Sequence, residues 1–160
     1  MKSAIVFFLV MTFLNITSCS LSNEDVMLID EANMQESVLD NDYSYAKDIS
    51  LVLEDVYYST QLPEYLEATL VNNSDTLNCK YGEHFWLEKR LADKWYTFPP
   101  SVAIDIAYTL NHNEKKQIKL YIAQYHEHMS TGLYRIVCPV DLARGNGTKI
   151  VECEFSIEGV

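Results

Sequence analysis

From Ile49 onward the chain alternates between apolar and polar positions. YLEATLVN (65–72) sets Leu66, Ala68 and Leu70 on one face. KQIKLYIAQY (116–125) sets Ile118, Leu120 and Ile122 against Gln117, Lys119 and Tyr121. A period of two marks a strand buried on one side. ISLVLEDVYYS (49–59) predicts a first strand, and VAIDIAY (102–108) predicts another. EHFWLEKRL (83–91) and KWYTF (94–98) predict a hairpin about Ala92-Asp93, which Pro99-Pro100 terminates. GLYRIVCPV (132–140) and KIVECEFSIE (149–158) predict a closing hairpin around the loop ARGNGT. With few helix starts, the expected class is all-β, a sandwich of about 7–8 antiparallel strands. The 112 residues from 49 to 160 are enough to bury a core as one domain.

The N-terminus follows a different pattern. Lys2 precedes an apolar run from Ala4 to Leu14, broken only by Thr12. This matches the charged and apolar regions of a secretory signal, and it falls short of the ~20 residues a spanning helix needs. Ile16-Thr17-Ser18-Cys19 then resembles the bacterial lipobox. That likeness implies that residues 1–18 are a lipoprotein signal peptide, and that Cys19 becomes the acylated N-terminus. Residues 19–48 read as an acidic flexible tether. From Ser20 to Asp48 they carry eight acids and one base, Lys47, with no proline or glycine.

Charge restricts the partners further. The whole chain has a formal charge of −11, and without Lys2 there remain 11 basic and 23 acidic residues, or −12. Nucleic acid and anionic lipid surfaces repel such a chain. Membrane attachment is therefore expected through acyl chains such as palmitate on Cys19, each buried CH₂ contributing ~0.8 kcal/mol.

A family resemblance rests on residues 49–140. It is carried by the Asn-Asn-Ser turn at 72–74, Tyr81-Gly82 leading into Phe85-x-Leu87-Glu88-Lys89, and Trp95. It continues through Ile104-x-Ile106-Ala107-Tyr108-x-Leu110 and Gly132-x-Tyr134-Arg135-Ile136-Val137. In this order and spacing they resemble the bacterial immunoglobulin-like domains of exported proteins and lipoproteins. The resemblance implies an immunoglobulin-like β-sandwich with Tyr134 as its tyrosine corner. It also implies a domain without the inter-sheet cysteine pair, since Ile136 takes the second cysteine's place.

The candidate chemistry is sparse. The strands around 84–90 and 132–137 share a face carrying His84, Trp86, Glu88, Arg90, Arg135 and Val137. Trp86, Arg90 and Arg135 form a candidate binding face, a tryptophan beside arginines being the composition of interface anchors. A linker or loop laid over Trp86 is the alternative. Glu88, Glu152 and Glu154 read as outward carboxylates paired across strands with Arg90 or Arg135. Cys138 and Cys153 fall opposite each other if the hairpin centres near Gly145 and Asn146. A cross-strand disulfide and two buried free thiols are both compatible with that placement. Cys79 has no evident partner. His126-Glu127-His128 puts two imidazoles on one strand face, yet zinc needs further ligands and His84 and His112 are isolated. Asn72-Asn73-Ser74 and Asn146-Gly147-Thr148 are glycosylation sequons by pattern alone. No nucleophile elbow, metal-protease, phosphate-loop or dinucleotide motif is present.

The expectation is a non-enzymatic, lipid-anchored binding or assembly module of the bacterial cell envelope, without metal or cofactor. Its partner would be an envelope protein or glycan. Inhibition of an extracytoplasmic hydrolase through a loop such as ARGNGT is the second expectation. Ser20 is not an inner-membrane retention residue, which favours the outer membrane in a diderm host.

Overall fold

The computed structural model describes residues 33–59, 61–100, 106–143 and 147–159. Its strands, in chain order, are β1 (Gln35–Glu36), β2 (Ile49–Leu53), β3 (Tyr57–Tyr58), β4 (Tyr65–Asn72), β5 (Cys79–Tyr81), β6 (Trp86–Leu91), β7 (Lys94–Thr97), β8 (Tyr108–Leu110), β9 (Lys115–Tyr121), β10 (Gly132–Leu142) and β11 (Thr148–Ile157). One short helix, α1 (Leu39–Asp42), follows β1, and a 3-10 turn, Ala123–His128, follows β9. Among the described residues no helix is long and apolar enough to cross a membrane.

Two sheets form. The smaller has the order β2-β4-β9, all antiparallel. The larger runs β1-β7-β6-β10-β11-β3, with β5 on β10 and β8 on β5. The trio β2-β4-β9 against β7-β6-β10-β11 is the A-B-E against C′-C-F-G arrangement of immunoglobulin sandwiches. Alternation places Ile49, Leu51 and Leu53 of β2 and Leu66, Ala68 and Leu70 of β4 in one core. From the other sheet come Tyr134, Ile136, Cys138 and Val140, with Val151, Phe155 and Ile157. Burying each large apolar side chain contributes about 1.5–3 kcal/mol.

Three strands differ from the sequence pattern. The predicted 49–59 strand splits, because the chain leaves the smaller sheet after Leu53. It joins the larger sheet as β3, parallel to β11. Of the 102–108 strand, residues 102–105 lie outside the described residues, and β8 begins at Tyr108. The 116–125 strand stops at Tyr121, because Ile122 turns to helical angles and starts the 3-10 turn. The 86–97 hairpin forms with Leu91 opposite Lys94, so its loop is Ala92-Asp93, and Ala92 takes a left-handed φ of 52°.

The Tyr134 hydroxyl donates to the Ser130 carbonyl at 2.6 Å, four residues upstream. This is the tyrosine corner. Asn72 supplies a second bracket at the other end of the core. Its Nδ2 donates to the carbonyls of Leu77 at 2.8 Å and Asn111 at 3.1 Å, and its Oδ1 accepts from Ser74 N–H at 3.0 Å. The side chain is 1% exposed, so this sequon offers no site for a glycan in the folded domain. Replacing Asn72 by Ala strands these buried groups and is expected to lower stability by about 2–3 kcal/mol. Urea unfolding checks this, with exposed Asn73→Ala expected to change little.

Residues 33–48 correct the predicted tether. From Asn33 the chain packs on the outer face of the larger sheet. β1 pairs with β7, and Ser37 N–H donates to Trp95 O at 2.8 Å. Leu39 of α1 packs with Val137, Ile150, Tyr43 and Trp86 in a second small core. Ala46 N–H donates to Ile150 O at 2.9 Å, and Ile150 N–H to Ser44 O at 3.1 Å. This strap covers the sheet, so β10 is buried on both faces from Tyr134 to Cys138. Its apolar residues follow neither a helical nor a strand period, which is why composition read it as linker.

Candidate binding surface

The predicted face of Trp86, Arg90 and Arg135 lies under and beside the strap. Arg135 is 2% exposed and Glu88 is fully buried, so neither is a surface group. The register explains their meeting: Arg135 stands directly across from Glu88 on β6. Arg135 Nε donates to Glu88 Oε2, and Nη1 donates to Glu152 Oε2 at 2.7 Å. Both Nη atoms reach the Asp40 carboxylate of α1 at 3.2 Å. Thr97 Oγ1 donates to the other Glu88 oxygen at 2.7 Å. The Tyr45 hydroxyl bridges Asp40 and Glu152, and the Trp95 ring lies 4.6 Å from the guanidinium carbon.

Burial opposes charge on Arg135, but the bonds to Asp40 and Glu88 outweigh it and hold the guanidinium protonated. Burial likewise opposes ionisation of Asp40, yet the bonds from Tyr45 and Arg135 hold its carboxyl below the usual 3.8. Trp86 is half-buried against Tyr43 and His84, with ring centroids at 5.8 and 4.8 Å. Burial depresses the His84 pKa. Arg90 alone of the three is exposed, stacked beside Trp95 at 5.8 Å. The face is a clamp that holds the strap. The expected cross-strand pairing of Arg135 with Glu88 and Glu152 forms, with the difference that Glu88 is fully buried.

Among the described residues the cysteines Cys79, Cys138 and Cys153 are free. Cys138 lies opposite Val151 and Cys153 opposite Ile136, so the two thiols are diagonal neighbours, offset by two positions. A disulfide needs a closer Cβ pair than that diagonal gives. Burial raises the pKa of Cys79 to about 11 and of Cys138 to about 12, and it raises that of Cys153 too. These are inert thiols. His126-Glu127-His128 sits in the 3-10 turn and not on a strand, and a His126 ring nitrogen lies 3.0 Å from Pro63 O. Among the described residues no group of His, Cys, Asp and Glu is placed to hold a metal ion. Cys19 and the ARGNGT residues 144–146 lie outside the described residues.

The best-formed concavity is elsewhere, at the mouth between the two sheets. A groove of about 400 Å³ is bounded by Ser44, Lys47 and Asp48 of the strap, Ser74 after β4, and Leu142 and Lys149 of the β10–β11 hairpin. Lys149 shares the inward parity of Val151, at the point where β11 runs past the end of the core. A second depression of about 450 Å³, also bordered by Leu142, includes Lys80 and Asp141. Both lie at the loop end holding the β4–β5 and β10–β11 connections, the equivalents of B–C and F–G loops. Sequence reasoning missed the groove because Lys47 and Lys149 are remote in the chain and share no motif. Only the strap's return along β11 joins them.

No curated protein matches the chain. Among solved structures it is similar to the sporulation control protein Spo0M of Bacillus subtilis, at 12% identity and TM-score 0.44, covering 69% of this chain and 49% of that one. It is similar to the β-glucosidase EmGH1 of Erythrobacter marinus at 10% identity and TM-score 0.38, covering 68% and 15%. A β-glucosidase of Listeria innocua follows at 17% identity and TM-score 0.35, covering 73% and 17%. The chain thus spans about half of the first protein and under a fifth of the others. The sequence profile of the bacterial Ig-like domain matches residues 45–155, most of the chain and nearly all of the sandwich. The protein belongs to the bacterial Ig-like domain family.

Proposed function

We propose that this protein is a non-catalytic binding or assembly module held at the cell envelope by a lipid on Cys19. The observation that carries the reading is the family itself. A bacterial Ig-like sandwich is a binding module, and its loop end here carries a groove. The carboxylates Glu88, Glu152 and Asp40, which converge on Arg135, are tied to it and to the strap. That use leaves them unsuited to acid–base work. The apolar run and Ile16-Thr17-Ser18-Cys19 support the anchor, with an envelope protein or glycan as partner.

A mild-detergent pull-down of the wild type and of Cys19→Ser, read by mass spectrometry, tests this. The wild type is expected to carry a diacyl mass on Cys19 and to bring a partner in near-equal amount. The variant is expected to lose the acyl mass and membrane retention. An unmodified Cys19 in the wild type removes the anchor from the proposal.

The exposed Ala143, Gly147 and Thr148 of the β10–β11 loop support the second reading, inhibition of an extracytoplasmic hydrolase. Loss of an envelope hydrolase's activity on adding the domain would favour it.

A further inference from the structure

We infer that the groove at the mouth of the sandwich binds a small anion, a carboxylate or phosphate carried on a short apolar group. The inference deepens the binding-module reading and rests on it, though not on the lipid anchor. Three observations lead to it. Lys149 is partly buried, and its ammonium donates to the Ser44 hydroxyl, a neutral partner. No carboxylate among the described residues pairs with Lys149 or with Lys47, which also lines the groove. A partly buried cation is stabilised most by an anion, and Lys149 and Lys47 line one groove without an acid partner.

The second observation is the hydroxyl lining. Ser74 Oγ already accepts from Leu77 N–H at 3.0 Å, so its proton can be donated to a guest. Ser44 stands beside Lys149. The third is the apolar wall of Ala46, Ile49, Leu77 and Leu142, which suits a hydrocarbon stem behind a charged head. Asp48 is the acidic residue of the lining. Its charge repels an anion from its sequence neighbour Lys47 and leaves Lys149 as the anion seat. A volume near 400 Å³ fits a charged head and a short stem.

The test is titration of the full-length chain with hexanoate and, separately, with inorganic phosphate. Ionic strength is held constant with chloride, and the amide shifts of Ser44, Lys47, Ser74 and Lys149 are followed. At least one probe is expected to saturate at those amides. Lys149→Gln should weaken it about ten-fold, while Lys149→Arg keeps most of the affinity. Lys47→Gln, at an exposed site that cannot compromise folding, should weaken it by a smaller factor. Hexanoate saturating alone identifies a carboxylate with its stem, and phosphate saturating alone identifies a phosphoryl head. If neither saturates, or if both glutamine variants bind like wild type, the anion groove is wrong. That failure would leave the pull-down result untouched, so groove and module fall separately.

Discussion

Arg135→Met is expected to lower the unfolding free energy by about 3–5 kcal/mol and to free the strap. Magnitudes decide this. The pair Lys94–Glu36, at 2.8 Å with both side chains more than half exposed, contributes little because solvent screens it. The Arg135 clamp differs because its side chain is 3% exposed and that of Glu88 is fully buried. Removing the cation leaves a buried carboxylate with only Thr97 to solvate it, while Asp40 and Glu152 lose their shared counter-charge. The cost is that of an uncompensated charge, far above the net worth of the pair. Urea unfolding should show a lower midpoint at nearly unchanged slope. Amide exchange should rise first from Gln35 to Ala46. The double variant Arg135→Met/Glu88→Leu separates the causes. It removes both buried charges and should recover much of the global loss, while the strap stays loose because Asp40 still lacks its partner. If the single variant costs less than about 1 kcal/mol, the clamp is ornamental and the strap is held by Leu39 and Tyr43.

Tyr134→Ala is expected to cost about 3–5 kcal/mol, and Tyr134→Phe only about 1. The ring is fully buried, stacked on Phe155 at 5.4 Å and Phe98 at 6.3 Å, with the Lys89 ammonium 5.6 Å from its centre. Truncation to alanine opens a cavity where the two sheets meet, and neighbours bound to two ladders cannot collapse into it. Phenylalanine keeps the ring and gives up the hydroxyl with its bond to Ser130. The ratio of the two effects in thermal unfolding measures how much of the corner is packing and how much is latch. Equal losses would mean that the hydroxyl bond, and not the ring, carries the site. Gly132 belongs to the same unit: its φ of +150° suits glycine, and a Cβ there would meet Lys89 Cε at 3.3 Å.

Much of this fold was legible in the sequence because it depends on one-sided burial. The inward sets of β4 and β9 follow alternation, and Gly132-Leu133-Tyr134 marked the corner. Alternation also chose the correct face for Trp86, Glu88, Arg90 and Arg135. It did not show that the face is covered. Glu88 and Arg135 read as solvent groups because a period of two reports sidedness and says nothing of what lies on the second side. The covering segment was hidden for a related reason. Leu39, Tyr43, Tyr45 and Ala46 carry too few apolar atoms to look like an element, and the acids around them resemble a linker. What holds them is non-local: the charge pair of Asp40 with Arg135, 95 positions away, the backbone bonds of Ser44 and Ala46 to Ile150, and the packing of Leu39 on Val137. The groove was illegible for the same reason, since Lys47 reaches it only because the strap is fixed.

The strap also determines how force enters the molecule. Its main anchorage, Arg135, is on β10, which has β6 and β5 along one side and β11 along the other. Tension applied upstream of the strap first meets the two-residue outer strand β1 on β7 and then passes through Asp40 into the middle of the larger sheet. There the ladders on both sides of β10 share the load.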